Sequence, residues 1–270
     1  MSHYCGIFKP MATKGQLKQQ IQRLHIATAV VFAGLAVAAG VMMKATSYPF
    51  VVSHETKDEL ASQTSTVFAP AVHHIIDIDM RWALIALMVV GVITAVLALT
   101  YWQKEYAKQI EKRLSPLTWI SMGGIMPALM FEIIAFFSGG QDVLYLKLIA
   151  AMILLTGILG YMAERENRGA RRPQWINFWL LFAVGAIAWV ALFTMIVATQ
   201  VYGMVRLPWF VYASMGLLTV ASISAVTNLW YELRAKGWAK DFNVVERNYL
   251  VINLLAKGIF VLLIILGLKK

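Results

Sequence analysis

The sequence predicts an all-α membrane protein, a single bundle of seven membrane-crossing helices over residues 1–270, with a long segment between the first two. Three observations predict it. Hydrophobic residues make up 60% of the chain and charged residues 14%, too little polar surface to solvate a domain of 270 residues in water. The apolar residues fall into seven runs, each near the roughly 20 residues that span a bilayer. The basic residues between the runs alternate in density from one connection to the next, as the positive-inside rule requires.

The first run, Ile26 to Met43, follows a polar stretch bearing Lys9, Lys14, Lys18 and Arg23. It lacks a small-residue cleavage site and is expected to be a retained signal anchor. Cys5, the one cysteine, excludes an intrachain disulfide and is expected to be a free thiol, with palmitoylation as the alternative. His25 stands at the entrance to the run and is expected at the membrane interface. The segment from Lys44 to Arg81 holds YPFVV and STVFAP, β-branched and aromatic stretches that suit a β-hairpin capping the outer face. Its polar tip is expected over His54 to Ser65, and His73 and His74 in a solvated loop rather than a metal site.

The second run, Trp82 to Trp102, leads to a basic loop with Lys104, Lys108, Lys112 and Arg113. The third, Leu117 to Phe137, contains Gly123, Gly124 and Pro127. A proline there frees a backbone carbonyl and can kink the helix, while the glycines suit close helix packing; Gly139 and Gly140 follow its end. The fourth, Leu144 to Ala163, is followed by Arg165, Arg168, Arg171 and Arg172, and the fifth is Trp175 to Thr199. The sixth, Trp209 to Tyr231, precedes Arg234, Lys236, Lys240 and Arg247, and the seventh is Tyr249 to Leu268. The other connections and the end hold Lys44, Lys57, Arg81, Lys147, Arg206, Lys269 and Lys270, so the bias is about two to one. This places the N-terminus in the cytoplasm and the C-terminus outside, expected at the cell membrane. The net charge of +10 therefore reports orientation, not a nucleic-acid partner. The lipid bilayer is the expected surrounding.

Two charged residues stand well inside the runs, Lys257 in the seventh and Glu132 in the third. A lysine at the centre of a membrane helix costs on the order of 2.5 to 3.5 kcal/mol on insertion scales and usually marks function. Its ammonium must be neutralised, paired or consumed chemically, and a lysine out of water is a nucleophile able to form a Schiff base with a carbonyl compound. Glu132 lies nearer the outer surface. It either pairs with Lys257, is a protonated hydrogen-bonded carboxyl, or reaches a water pocket outside. No HExxH, GxSxG or P-loop pattern occurs, so no enzyme is expected.

The last third carries a resemblance. PWFVY (Pro208 to Tyr212) opens the sixth run, and Asn228, Trp230 and Tyr231 close it. Lys236 to Trp238, Asp241, Phe242, Glu246 and Tyr249 then lead to Ala256 and Lys257. AAMIL with Gly157, Glu164 and Asn167, and Ser115, Pro116 and Trp119, add to the pattern. Together these residues resemble the heliorhodopsins, seven-helix retinal proteins inverted in the membrane relative to other microbial rhodopsins. The first third is similar only in layout.

The resemblance implies a photoreceptor with all-trans-retinal attached to Lys257, a homodimer without robust pumping, and signalling to a cytoplasmic partner as its output. It also implies a Schiff-base counterion just after the third-run tryptophan. Here Trp119 is followed by Ile120, Ser121 and Met122, so Ser121 stands where a glutamate is expected. Glu132 comes 11 residues after Ser121, about 16 Å further along nearly the same face. Three arrangements stay open: Glu132 as a relocated counterion, a bound anion such as chloride in its place, or a neutral base in the dark. Phe32 and apolar residues replace the polar histidines that the family has in its first two helices. Met122, Met126, Met152 and Trp189 are expected at the retinal pocket, and Ala221 and Ser222, in place of bulky aromatics, leave its ring more room. Light-driven or light-gated proton transport through Glu132 is the rival reading, and a membrane interaction protein without photochemistry is a third.

Overall fold

The computed structural model describes residues 14–45, 47–57, 68–100, 103–168, 170, 172–204, 206–235 and 237–269. Cys5, residues 58–67 with most of the expected polar tip, Arg171, Lys236 and Lys270 lie outside the described residues. Helix α1 runs Lys14–Met42 and is followed by strands β1 (Ser47–Lys57) and β2 (Phe68–Asp79). Helices α2 (Met80–Leu99) and α3 (Gln103–Glu111) lead to a π-helical segment, Thr118–Ile125, continuous with α4 (Met126–Phe137). Helices α5 (Val143–Asn167), α6 (Ile176–Val201) and α7 (Trp209–Leu233), a 3₁₀ turn (Gly237–Lys240) and α8 (Phe242–Leu268) complete the chain. Among the described residues seven spans are long and apolar enough to cross a membrane, the π segment and α4 forming one of them. One end of the bundle carries the hairpin and the last residues of α1 and α8, where the Lys44 N–H donates to the Leu268 carbonyl at 3.3 Å. The other end carries α3 and most of the basic residues.

Helix α1 begins well before the apolar run because its first turns are amphipathic. Leu17, Ile21, His25, Thr28, Phe32, Leu35, Ala39 and Met43 are buried at helical spacing, one stripe from the first turns to the end. The Lys104 to Arg113 stretch, expected as a loop, is largely helical for the same reason, with Tyr106 and Ile110 buried on one face of α3. The hairpin forms as expected but with longer strands: β1 and β2 pair antiparallel from Ser47 with Asp79 to Lys57 with Phe68, with a bulge between Phe50 and Val51. His54 thus belongs to β1 rather than the tip, and His73 and His74 to β2, where His74 meets Asp77 at 3.0 Å.

The hairpin is docked, not free. Val51 N–H donates to the Gln141 carbonyl at 3.0 Å, Ser53 N–H to the Asp142 carboxylate at 2.8 Å, and Phe50 stacks on Phe136 with ring centroids 5.0 Å apart. Asp142 also caps α5 through Leu144 and Tyr145, and the Ser53 bond leads in holding its carboxyl below the usual carboxylate range. Asp79 caps α2 in the same way, bonded to Arg81.

Lipid is as apolar as leucine, so the helices associate through close packing of small residues. A close backbone seam joins α5 to the π segment, where a Cβ on Gly157 would stand 2.6 Å from the Gly124 Cα, and one on Gly160 would enter the Trp119 ring. Pro127 and the glycines do not end the third span; they mark its change from π- to α-helix, and Gly139, at φ +99, ends it. Gly157→Ala is expected to lower stability by about 1–3 kcal/mol through overpacking against backbone that has no room to yield. Gly216→Ala, which meets nothing within 4 Å, is expected to be neutral or slightly stabilising. Thermal unfolding in detergent micelles compares the two.

Candidate functional site

Lys257 lies on α8 between two hydrophobic clusters, one toward the hairpin around Met88, Met126, Met130, Phe131 and Phe260, the other toward the basic end around Trp119, Met122, Leu229 and Leu250. It is 2% exposed. Its Nζ donates to the Met122 carbonyl at 2.7 Å and to Asn253 Oδ1 at 2.5 Å. Asn253, one turn earlier on the same face, is oriented by donating its own Nδ2–H to the Tyr249 carbonyl at 2.9 Å.

The Met122 carbonyl is available for a sequence reason. In the π segment the Met126 N–H bonds back five residues, to the Ser121 carbonyl. The same spacing would send the Met122 carbonyl to residue 127, a proline with no N–H. An acceptor is thus left at mid-membrane, and the lysine fills it. Beside it the Thr94 hydroxyl donates to the Val90 carbonyl at 2.7 Å, so the Ser121 hydroxyl donates to Thr94 at 2.5 Å.

The structure does not bring Glu132 to Lys257. Glu132 accepts from Lys147 at 2.6 Å, with the Glu132 side chain 15% and the Lys147 side chain 64% exposed, because α5 presents a cation at that level of α4. Among the described residues no carboxylate forms an ion pair with Lys257. Of the other expected pocket residues, Met122 and Met126 are buried. Met152 and Trp189 are half-buried against the hairpin-side cluster, Trp189 edge-on to Phe131 at 5.0 Å, and Ser222 is half-buried on α7. Phe32 packs where a side chain on Gly91 would otherwise stand, which closes the α1–α2 side with apolar atoms.

A second polar constellation fills the basic end. Glu246 accepts hydrogen bonds from Tyr106, from the Ser115 hydroxyl and from Thr118 Oγ1, the last at 2.7 Å. Glu164 accepts from the Ser115 N–H at 2.8 Å and from the Trp119 indole N–H. His25 Nε2 stands 3.1 Å from the Tyr106 oxygen; since Tyr106 gives its proton to Glu246, His25 is the donor there. His25 is therefore a buried network member, 2% exposed, and not an interface residue. Tyr106 lies on α3, outside the spans, and burial first, then the Glu246 charge, pushes its phenol well above its ordinary range.

Sequence reasoning placed only Glu132 and Lys257 inside the spans, and it missed Glu164, Glu232 and Glu246, all buried. An apolar run stops by definition at its first charge, whereas α5, α7 and α8 continue past Ala163 and Tyr231 and begin before Tyr249. The signal that could have found Glu164 and Glu246 was present in the resemblance, for both belong to its motifs. Asn253 and Thr94 had no such marker.

Seven membrane spans with a mid-span lysine on the last, buried, unpaired and beside an apolar cluster, define the architecture of a microbial-rhodopsin-type retinal protein. The heliorhodopsin family profile matches residues 20–268, nearly the whole chain, and the chain belongs to the heliorhodopsin family. It is accordingly an integral membrane protein of the retinal-binding rhodopsin type, in which a lysine holds the chromophore, and its family is not one of enzymes in the ordinary sense. A search of curated proteins found no match. The residues fit retinal: among the described residues Lys257 is the one buried lysine, its amine has no charged partner, and the Met126 and Phe131 cluster adjoins it with the apolar surface that a polyene needs.

The raised Tyr106 value has a consequence for stability. A group whose folded value lies above its unfolded value, about 10 for tyrosine, contributes stability that is complete below that pH and is lost as pH climbs toward the folded value. The native protein is expected to weaken above about pH 10, and Tyr106→Phe to lose that part of the alkaline dependence. At neutral pH the same variant is expected to be about 1–3 kcal/mol less stable, because His25 and Glu246 each lose a buried partner. Denaturation followed from pH 7 to 11 by circular dichroism checks both.

Proposed function

We propose that the protein is a photoreceptor in which all-trans-retinal is attached to Lys257 and light shifts the bundle between two states. Bound retinal supplies light absorption and a change of shape. The chain's own residues do the rest. Met122 and Asn253 orient the free lysine amine with two uncharged amide oxygens, and one of them accepts the single N–H of a protonated Schiff base where Ser121 replaces the acid. Ser121 is held off by its bond to Thr94, and the hairpin-side cluster excludes water.

The observation that carries this reading is the lysine itself, buried without a counter-charge and bonded to a carbonyl that its own span cannot satisfy. The output follows from where Met122 sits. Residues Thr118 and Trp119, one turn away in the same π segment, bond Glu246 and Glu164, so a displacement at Met122 reaches α3 through Glu246 and Tyr106. We take α3 and the basic loops as the cytoplasmic face, by the positive-inside rule, and signalling to a cytoplasmic partner from a homodimer in the cell membrane as the role. Glu132 has no part in it, being held by Lys147 at the hairpin end; this favours signalling over proton transport.

The test is reconstitution of the purified protein with all-trans-retinal. A pigment is expected that borohydride fixes to Lys257, as read by peptide mass spectrometry, and that Lys257→Ala abolishes. Asn253→Leu is expected to move the absorption maximum, and Glu132→Gln to leave it in place. A band that turns ultraviolet in Glu132→Gln would instead make that carboxylate the counterion, and a pigment unchanged in Lys257→Ala would overturn the reading.

A further inference from the structure

Glu232 is the one member of the basic-end carboxyl group that the hydrogen bonds do not explain. It is 6% exposed, and its Oε2 is buried with no partner, as is the hydroxyl of Tyr249. It lines a cavity of about 310 Å³ open at the basic end, together with Arg113, Glu164, Asn167, Arg168 and Arg234.

The donors around the other two carboxyls decide where a proton resides. A backbone N–H and an indole N–H can only donate, so both oxygens of Glu164 are acceptors. Glu246 accepts hydrogen bonds from three hydroxyls. Ser115 serves both, by its N–H to Glu164 and its hydroxyl to Glu246, and the three carboxyls act on one another's charge. Such a group does not hold three negative charges side by side in an apolar bundle. Glu232 lines the cavity, its Oε2 accepts no formed hydrogen bond, and the one hydroxyl that acts on its carboxyl, Tyr249, is itself unpaired, so there a proton is both needed and accessible.

The charged and titratable groups facing it are accounted for. From α5 and the residue after it these are Glu164 and Arg168, from α8 Glu246 and Tyr249, and from its own helix end Arg234. The segment before the third span adds Arg113. None of the arginines forms an ion pair with Glu232. Arg113 donates to the Ala239 and Lys240 carbonyls, and Arg234 lies over the Trp230 ring at 4.1 Å. His25 and Tyr106 lie beyond Glu246.

We propose that Glu232 is a proton-exchange site between the cavity water and the Glu164–Glu246 network, and that the protein reversibly takes up a proton there in the light. This rests on the retinal reading for its trigger. When the π segment shifts, Thr118 or Trp119 withdraws from Glu246 or Glu164, and the carboxylate that loses a donor becomes the stronger base. It takes the Glu232 proton, and Glu232 is reprotonated from hydronium or buffer in the cavity. On return to the dark state one proton leaves by the same route, and no electron moves. Exchange is with the basic-end solvent alone, so no net charge crosses the membrane.

Flash illumination of the reconstituted pigment with a water-soluble pH dye tests the trigger. A transient alkaline signal is expected in the unmodified protein and in Glu105→Gln, an exposed surface acid, and is expected to be lost in Glu232→Gln. A pigment with no signal, or a signal that persists in Glu232→Gln, overturns the proposal. Infrared titration of the retinal-free protein in the dark tests the site without the chromophore: a protonated-carboxyl band is expected near neutral pH, absent in Glu232→Gln and retained at a shifted frequency in Glu232→Asp. If no pigment forms, the retinal reading fails while this band still decides the proton on Glu232; if the band is missing in the unmodified protein, the site fails.

Discussion

One unsatisfied carbonyl organises this protein. In a membrane every backbone polar group must find a partner inside the protein, and the Met122 carbonyl has none in its own span, because the π-helical register points it at Pro127. The partner comes from the last helix. A lysine that is costly in a membrane helix is placed where its N–H groups answer an acceptor that the third span leaves open, and Asn253 takes a second. The two anomalies, a buried amine and a broken hydrogen-bond ladder, resolve each other. On the proposed reading, retinal attached to Lys257 acts on a nitrogen already in contact with the π segment.

The same segment is held from its other side. Gly124 and Gly157 bring α5 against it at backbone contact, and Trp119 fills the space over Gly160. One turn toward the basic end, Ser115, Thr118 and Trp119 donate hydrogen bonds to carboxylates on α8 and α5. A stretch of chain seamed to α5, bonded to α8 at two levels and lacking regular α-helical bonds is a sensible place for a two-state element. Its contacts carry any rearrangement to the basic end.

Much of this was legible in the sequence. Seven apolar runs, the alternation of basic residues and the β-branched content of the segment after the first run led to the bundle, its ends and the hairpin. Lys257 announced itself by standing alone among leucines and isoleucines. Pro127 was read as freeing a carbonyl, though not which one, because the register of a π segment is a property of the helix and not of any residue type. The counterion was the harder question. Helical spacing placed Glu132 on a face shared with Ser121, but spacing along one helix says nothing of a lysine on its neighbour, and Lys147 is nearer. The buried glutamates at the basic end were hidden by their position at the edges of apolar runs, where a charge reads as the beginning of a loop. Among them Glu232 alone has a buried oxygen that accepts no hydrogen bond, beside the cavity that it lines with Glu164.

The central claim is the bond between the Lys257 nitrogen and the Met122 carbonyl. Isotope-edited infrared spectroscopy of a ¹³C-labelled Met122 carbonyl, compared between the unmodified protein and Lys257→Met, reads it directly. The account predicts a hydrogen-bonded, lower-frequency band that moves to higher frequency when the amine is removed. A band at the same frequency in both proteins would contradict it.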